Sequence, residues 1–399
     1  MDSILQQIDP RTLGTRLQEA RKATGLTQQQ VADRQQIART TVVAIEKGER
    51  RISSKELIEY ARIYRRAVSD FVSHRVFTEG FVPQFRSVLD NNDQADQIGF
   101  ELQSRAEDFL ELENLAGMQA PRLYPPPYET SGADAEQIGE DVANAERARL
   151  GMGDGPVPDL RERLATQVGI RIFLFEMPSK VAGAFAYNDV LGACTAINLK
   201  HPRDRRNWSL AHEYGHFLMT RFQAELTVLF EKKRLSLHER LADRFAECFL
   251  MPATGLNWRI SELHRSLPSG ITVAHICEIA HAYQVSVQAM IRRLEGLKRL
   301  PHGTWERLRE DGFKVRQAQK LLGIDAEPSI SEIMPRHYIM TAVYAFKKGM
   351  LSEGQLARYL RIDRLAAREA VARSPVLIHA EEEGFAPCPS DLGLRLTGS

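Results

Sequence analysis

The chain has 399 residues, 43% of them hydrophobic and 26% charged, with 53 Lys and Arg against 52 Asp and Glu. That length predicts two or three domains, and the composition excludes a disordered or fibrous chain. The four cysteines, Cys194, Cys248, Cys277 and Cys388, form no CxxC pair, which argues against a disulfide framework or a structural zinc knuckle. No apolar run approaches the roughly 18 residues of a membrane span and Met1 to Gln7 lacks a signal-peptide plan, so a cytoplasmic location away from membranes is expected.

Near-zero net charge hides a local excess. Residues 11 to 73 carry 13 Lys and Arg against 7 Asp and Glu, which points this module toward nucleic acid. The segment reads as five short helices. Leu13 to Thr24 turns Leu17 and Ala20 inward and stops at Gly25, and Thr27 then offers an N-cap to a short amphipathic helix. Arg39 to Glu46 forms the next, with Val42 and Ile45 inward and Arg39, Thr40, Thr41 and Ala44 outward. Two helices joined by so short a turn form a helix-turn-helix, whose second helix enters the major groove.

Leu26-Thr27-Gln28, Val31-Ala32, Val42, Ile45 to Arg50, Leu57, Ala61 and Val68-Ser69 give this segment its family character: it resembles the Xre family of phage-repressor-like DNA-binding domains. The resemblance implies that Gln28 lies at the phosphate and base edge and that Arg39, Thr40, Thr41 and Ala44 face bases. Lys47, Arg50 and Arg51 would hold phosphates of a double-stranded operator. The expected turn glycine is Gln36 and the usual polar cap is Ala38, which predicts a strained or reshaped turn.

Residues 74 to 120 read as a helical connector suited to core packing or to a homodimer reading two half-sites. Pro121 to Tyr128 reads as a semi-rigid, proline-rich tether. Two helices follow, from Ala135 to Leu150 and from Leu160 to Val168. Strands are predicted at Ile170 to Phe175, Val181 to Tyr187 and Cys194 to Leu199, the last of them nearest the site that follows. Lys200 to Arg206 reads as a solvated loop.

Trp208 to Met219 is an apolar helix holding His212-Glu213-Tyr214-Gly215-His216, an HExxH pattern. Residues four apart share a helix face, so His212 and His216 can aim at one metal ion while Glu213 serves a water as general base. A catalytic zinc usually takes three protein ligands. Glu239 is the third candidate, 23 residues after His216 on an amphipathic helix, and Asp243, one turn on, can hold a ligand histidine. His238, beside Glu239, points elsewhere. Tyr187 and His238 both stand as oxyanion donors without a choice between them.

Gly169-Ile170, Ile197-Asn198, Ser209 to His216, Glu239, Ala242, Phe245-Ala246 and Leu250-Met251-Pro252 carry a second resemblance, to the ImmA/IrrE family of metallo-endopeptidases, over residues 135 to 300. It implies that His212, His216 and Glu239 bind Zn²⁺ and that Glu213 activates water. It also implies a protein substrate, a helix-turn-helix repressor or this chain itself, in a stress, mobile-element or defence response. The alternative is a non-catalytic regulator or antitoxin whose zinc domain senses a ligand or partner.

Beyond Ile271 the chain is again helical. Leu351 to Leu360 looks like a second helix-turn-helix unit, and with no strong basic excess it reads as a packing or protein-interaction element. The expected architecture is mainly α with a small mixed β-sheet (α+β): a five-helix DNA-binding domain at 1–75, a connector and tether at 76–130, a zincin-like peptidase domain at 131–300 and a helical C-terminal domain at 301–399. Order is not expected after Pro387.

Overall fold

The computed structural model describes residues 8–64, 66, 68–72, 92–130, 134–221, 237–267, 270–324 and 334–373. The tail after Pro387 and residues 76–91 of the connector therefore lie outside the described residues.

The N-terminal domain consists of α1 (Pro10–Ala23), α2 (Gln28–Gln35), α3 (Arg39–Glu46), α4 (Ser54–Ile63) and α5 (Val68–Val72). Leu17, Val31, Ala32, Val42, Leu57, Tyr60 and Tyr64 are fully buried at its centre. Thr27 and Gln30 close a reciprocal capping box on α2, and Gln36 ends the helix in the left-handed region at φ 56°. The turn is kept and not reshaped: Ile37 N–H donates to Ala32 O at 3.0 Å. A non-glycine there costs about 1 kcal/mol, which the buried side chains on either side outweigh. Ala38 begins α3 without a side-chain cap. Behind the turn, Arg21 clamps the buried Glu46 through two bonds of 2.5 and 3.1 Å.

A long helix, α6 (Asn92–Ala116), links this domain to the rest. Glu107 pairs with the buried Arg66 of the N-terminal domain, and Glu113 accepts from the buried Arg171 at 2.5 Å. The proline-rich segment that follows is extended, as its sequence predicts, but it is a strap laid on the next domain and no free spacer. Leu123 N–H donates to Val168 O and Tyr128 N–H to Leu218 O, both at 3.0 Å, and the Tyr128 hydroxyl donates to Glu146 at 2.8 Å. Its aromatic residues find apolar surface and its backbone finds partners, so it stays down.

Helix α7 (Ala135–Arg149) and the short α8 (Leu160–Arg163) precede strands β1 (Arg171–Phe175), β2 (Gly183–Asn188) and β3 (Gly192–Asn198). The sheet order is β1-β3-β2, with β1 and β3 parallel and β2 and β3 antiparallel. Every residue of β3 is buried, as a central strand covered on both faces must be. On one face Ile172, Leu174, Phe185 and Ile197 meet α7, α9 (Arg203–Thr220) and α10 (Leu237–Leu250). Opposite them Phe173, Phe175, Ala184, Cys194 and Ala196 meet α6 and the C-terminal helices α16 (Arg336–Lys347), α17 (Glu353–Leu360) and α18 (Arg364–Arg373).

Between these, α11 (Ala253–Ser266), α12 (Val273–Ala282) and α13 (Val287–Gly296) complete the first core, and α14 (Thr304–Glu310) and α15 (Val315–Leu321) pack against it through Trp305, Leu308 and Val315. The packing therefore runs past the boundary expected at 300. It also groups the connector helix α6 with the C-terminal helices on the far face of the sheet.

Candidate metal centre and nucleic-acid interface

Helix α9 is buried along its second half, from Ser209 to Thr220. Its rotation is fixed at Tyr214, whose hydroxyl donates to Glu146 of α7 while its ring packs edge-on against Phe245 and Phe249 of α10. That leaves the preceding and following turns, His212 and His216, on the face toward the start of α10. Gly215 permits the crossing: a Cβ there would lie 3.0 Å from the Phe245 ring and 3.2 Å from Ala242 Cα. Small residues on both helices let α10 come close enough to deliver Glu239.

The outcome is a three-residue cluster. His212 Nε2 and His216 Nε2 lie 3.0 Å apart, and the Glu239 oxygens stand 3.4 and 3.6 Å from them. Among the described residues these three form the group of ligand atoms, mutually within 4.8 Å, that could hold a metal ion. Tetrahedral zinc with Zn–N bonds of ~2.0–2.1 Å separates its nitrogens by roughly 3.3 Å, so the set fits such an ion with small adjustments. His238 is half-buried and stands outside the cluster.

The other ring nitrogens are held. Asp243 Oδ1 lies 2.8 Å from His212 Nδ1, which leaves Nε2 toward the cluster when Nδ1 carries the proton. Thr220 Oγ1, 3.3 Å from His216 Nδ1, does the same for the second histidine and donates in turn to His216 O at 3.0 Å. Asp243 was expected beside a histidine and stands beside His212, whereas Thr220, a hydroxyl four residues after His216 on one helix, was not singled out from the sequence.

Glu213 is wholly buried, and neither of its carboxylate oxygens has a hydrogen-bond partner among the described residues. Burial pushes its pKa up to about 8, with Glu239 adding to the rise and His212 opposing it. For His212 burial opposes the charged form, but the bonds with Asp243 and Glu239 outweigh it and carry the pKa to about 10. Burial and the adjacent His212 hold His216 well below the usual imidazole range. An unsatisfied buried carboxylate beside a ligand cluster is costly to keep, and such groups mark working sites.

The stretch 194–199 supplies the central strand, whereas the outer strand β2 begins at Gly183, where a Cβ would come within 2.8 Å of Glu213 Oε1. Among the described residues β2 pairs only with β3, so its other edge faces away from the sheet. Tyr187 sits four residues along β2, about 13 Å away at ~3.3 Å per residue, and its hydroxyl bonds Asp189 at 3.2 Å.

In the N-terminal domain Arg39, Thr40, Lys47 and Arg50 are exposed, and Thr41 and Ala44 are partly so. They lie on or just beyond the outer face of α3. Gln28, at the start of α2, spends its amide on Glu46 at 2.9 Å, and Arg50 pairs with Glu56 at 2.7 Å. Both contacts tie these side chains to the scaffold.

A family model described as IrrE N-terminal-like domain matches residues 165–295, and one described as helix-turn-helix matches residues 17–71. A search of curated proteins found no match to the chain. No helix among the described residues is long and apolar enough to cross a membrane. With the geometry and these two matches together, the chain joins an Xre-like helix-turn-helix domain to a peptidase-family domain of the ImmA/IrrE type.

Proposed function

We propose that this protein is a DNA-binding regulator carrying a zinc-dependent endopeptidase, which cuts a repressor-type protein or its own chain in a stress, mobile-element or defence response. The observation that carries the reading is the pairing of the His212, His216 and Glu239 cluster with a buried Glu213 that has no hydrogen-bond partner among the described residues. A purely structural metal site has no use for that carboxylate.

Held by these three residues, Zn²⁺ would supply Lewis acidity toward a water and toward the scissile carbonyl. The chain's own residues do the rest. Asp243 and Thr220 keep both imidazoles in the tautomer that offers Nε2. Glu213 accepts the proton of the attacking water and passes it to the leaving amine, since its buried carboxylate has no hydrogen-bond partner among the described residues. An extended substrate adds to the outer edge of β2, bringing its backbone past Gly183 to Glu213. On the DNA side, α3 enters the major groove with Arg39, Thr40, Thr41 and Ala44 toward the bases. Gln28, Lys47 and Arg50 contact the backbone.

The test is metal content against cleavage. Glu213→Gln is expected to retain one equivalent of zinc by elemental analysis while losing proteolysis at least a hundredfold. Loss of zinc in Glu213→Gln, or undiminished cleavage, would contradict the assignment of Glu213 as the base.

A further inference from the structure

The helix-turn-helix of the N-terminal domain occurs a second time, at a constant offset of 325 residues. Ser352 and Gln355 close the same reciprocal capping box on α17 that Thr27 and Gln30 close on α2, with backbone-to-glutamine bonds of 2.8 and 2.9 Å. Both first helices are eight residues long and both end on a left-handed non-glycine, Arg361 at φ 54° and Gln36 at φ 56°. The turn bonds agree: Ile362 N–H donates to Ala357 O at 3.1 Å, as Ile37 N–H does to Ala32 O at 3.0 Å. Leu356, Ala357 and Ala367 are buried where Val31, Ala32 and Val42 are buried.

Turn geometry alone does not make a reader. Helices α12 and α13 also join through a left-handed residue, Gln284, yet Val287, Met290, Ile291 and Leu294 of α13 are buried in the peptidase core. Helix α18 differs because its outer face is open. Arg364, at the position of Arg39, is exposed, as are Arg368 and Ala372, and Leu365 is 67% exposed. Residues 351–373 hold 5 Lys and Arg against 3 Asp and Glu, an excess of the same sign as that of the N-terminal module. Glu353, at the position of Gln28, has its charge taken up by Arg368 through bonds of 3.0 and 3.1 Å. Asp363 Oδ1 caps α18 by accepting from Ala366 N–H at 2.8 Å, a cap that α3 lacks.

We propose that residues 351–373 form a second DNA-binding helix-turn-helix unit, with α18 as its reading helix, so that one chain carries two such helices. Arg364 faces guanine or phosphate and Leu365 offers an apolar contact to a thymine methyl. The two units share a strut. Arg66 of the N-terminal domain bonds Glu107 of α6, while Arg361 of the second turn bonds Glu101, Ser104 and Asp108 of the same helix at 3.1 to 3.2 Å. The matches to known families end at residue 295, before this unit. The proposal is independent of peptidase activity and shares with the preceding reading only the N-terminal unit's affinity for DNA.

The experiment is fluorescence anisotropy of the full chain on a labelled random-sequence duplex across a salt series, with thermal melts confirming the fold of each variant. Arg39→Glu is expected to retain weakened binding, and adding Arg364→Glu to remove it. Arg364→Gln alone should lower affinity roughly five- to a hundredfold and reduce the salt slope by about one. Arg39→Glu leaving binding intact while Arg364→Glu abolishes it would support the second unit and remove the first. Arg39→Glu alone abolishing all binding would overturn the second unit and leave the first. An unchanged affinity and slope in Arg364→Gln, as for a face that takes a protein instead of DNA, would overturn the proposal, and no binding by the wild type would overturn both units.

Discussion

Asp243 shows how much a single side chain outside the ligand set contributes to the cluster. Its Oδ1 is 2.8 Å from His212 Nδ1, and without it His212 loses both its tautomer and its orientation. Asp243→Ala is expected to weaken zinc affinity about 10- to 100-fold by competition with a chromophoric chelator, with little change in melting temperature of the metal-free chain. An unchanged affinity would mean that the helix alone orients His212. This residue was legible in the sequence because one helical turn separates it from Glu239. Thr220 was not, because a threonine four residues after a histidine is common and only the burial of both shows the contact. Glu213 itself was legible from its place in HExxH, but its lack of hydrogen-bond partners among the described residues is a property of packing that no spacing encodes.

At the scale of elements, the decisive contact is the crossing of α9 and α10 at Gly215. Ala242 Cα stands 3.2 Å from where a Cβ would be, so Gly215→Val forces the helices apart. Overpacking of this kind costs about 1–3 kcal/mol. The variant should melt earlier and should lose zinc affinity, because Glu239 rides on α10; a calorimetric melt with and without zinc reads both effects. Equal melting of the two chains would show that the crossing tolerates the extra volume. The helices and strands around this crossing were readable from periodicity and from glycine stops. Sheet order was not: the wholly buried β3 is the centre strand, and Gly183 of the outer strand β2 lies against Glu213. The proline-rich segment misled for a similar reason. Composition gave its extended backbone, and only tertiary partners such as Val168, Leu218 and Glu146 show that it is a strap.

The whole molecule is organised around α6 and the sheet, with the peptidase helices on one face and α16 to α18 on the other. Three thiols lie in these cores: Cys194, Cys248 and Cys277 are buried, and burial pushes the first two up to about 12. A maleimide titration at pH 8 should therefore leave Cys194, Cys248 and Cys277 unmodified in the native chain and reach them after unfolding. Rapid native labelling of two or more would mean that these cores open readily. Domain identities were legible because each rests on a local signature, the helix-turn-helix spacing and HExxH. The grouping of α6 with the C-terminal helices depends on contacts between residues more than two hundred positions apart, such as Arg105 with Met334, which no local pattern announces.

The central claim is that Glu213 works a peptidase inside a DNA-binding regulator. Its most direct test is the mapping of new protein N-termini by mass spectrometry in cells expressing the wild type or Glu213→Gln across several stresses. The account predicts at least one cut, in a helix-turn-helix protein or in this chain, that appears with the wild type and is absent with Glu213→Gln. Identical N-termini in the two strains under every stress, with zinc bound in both proteins, would contradict it.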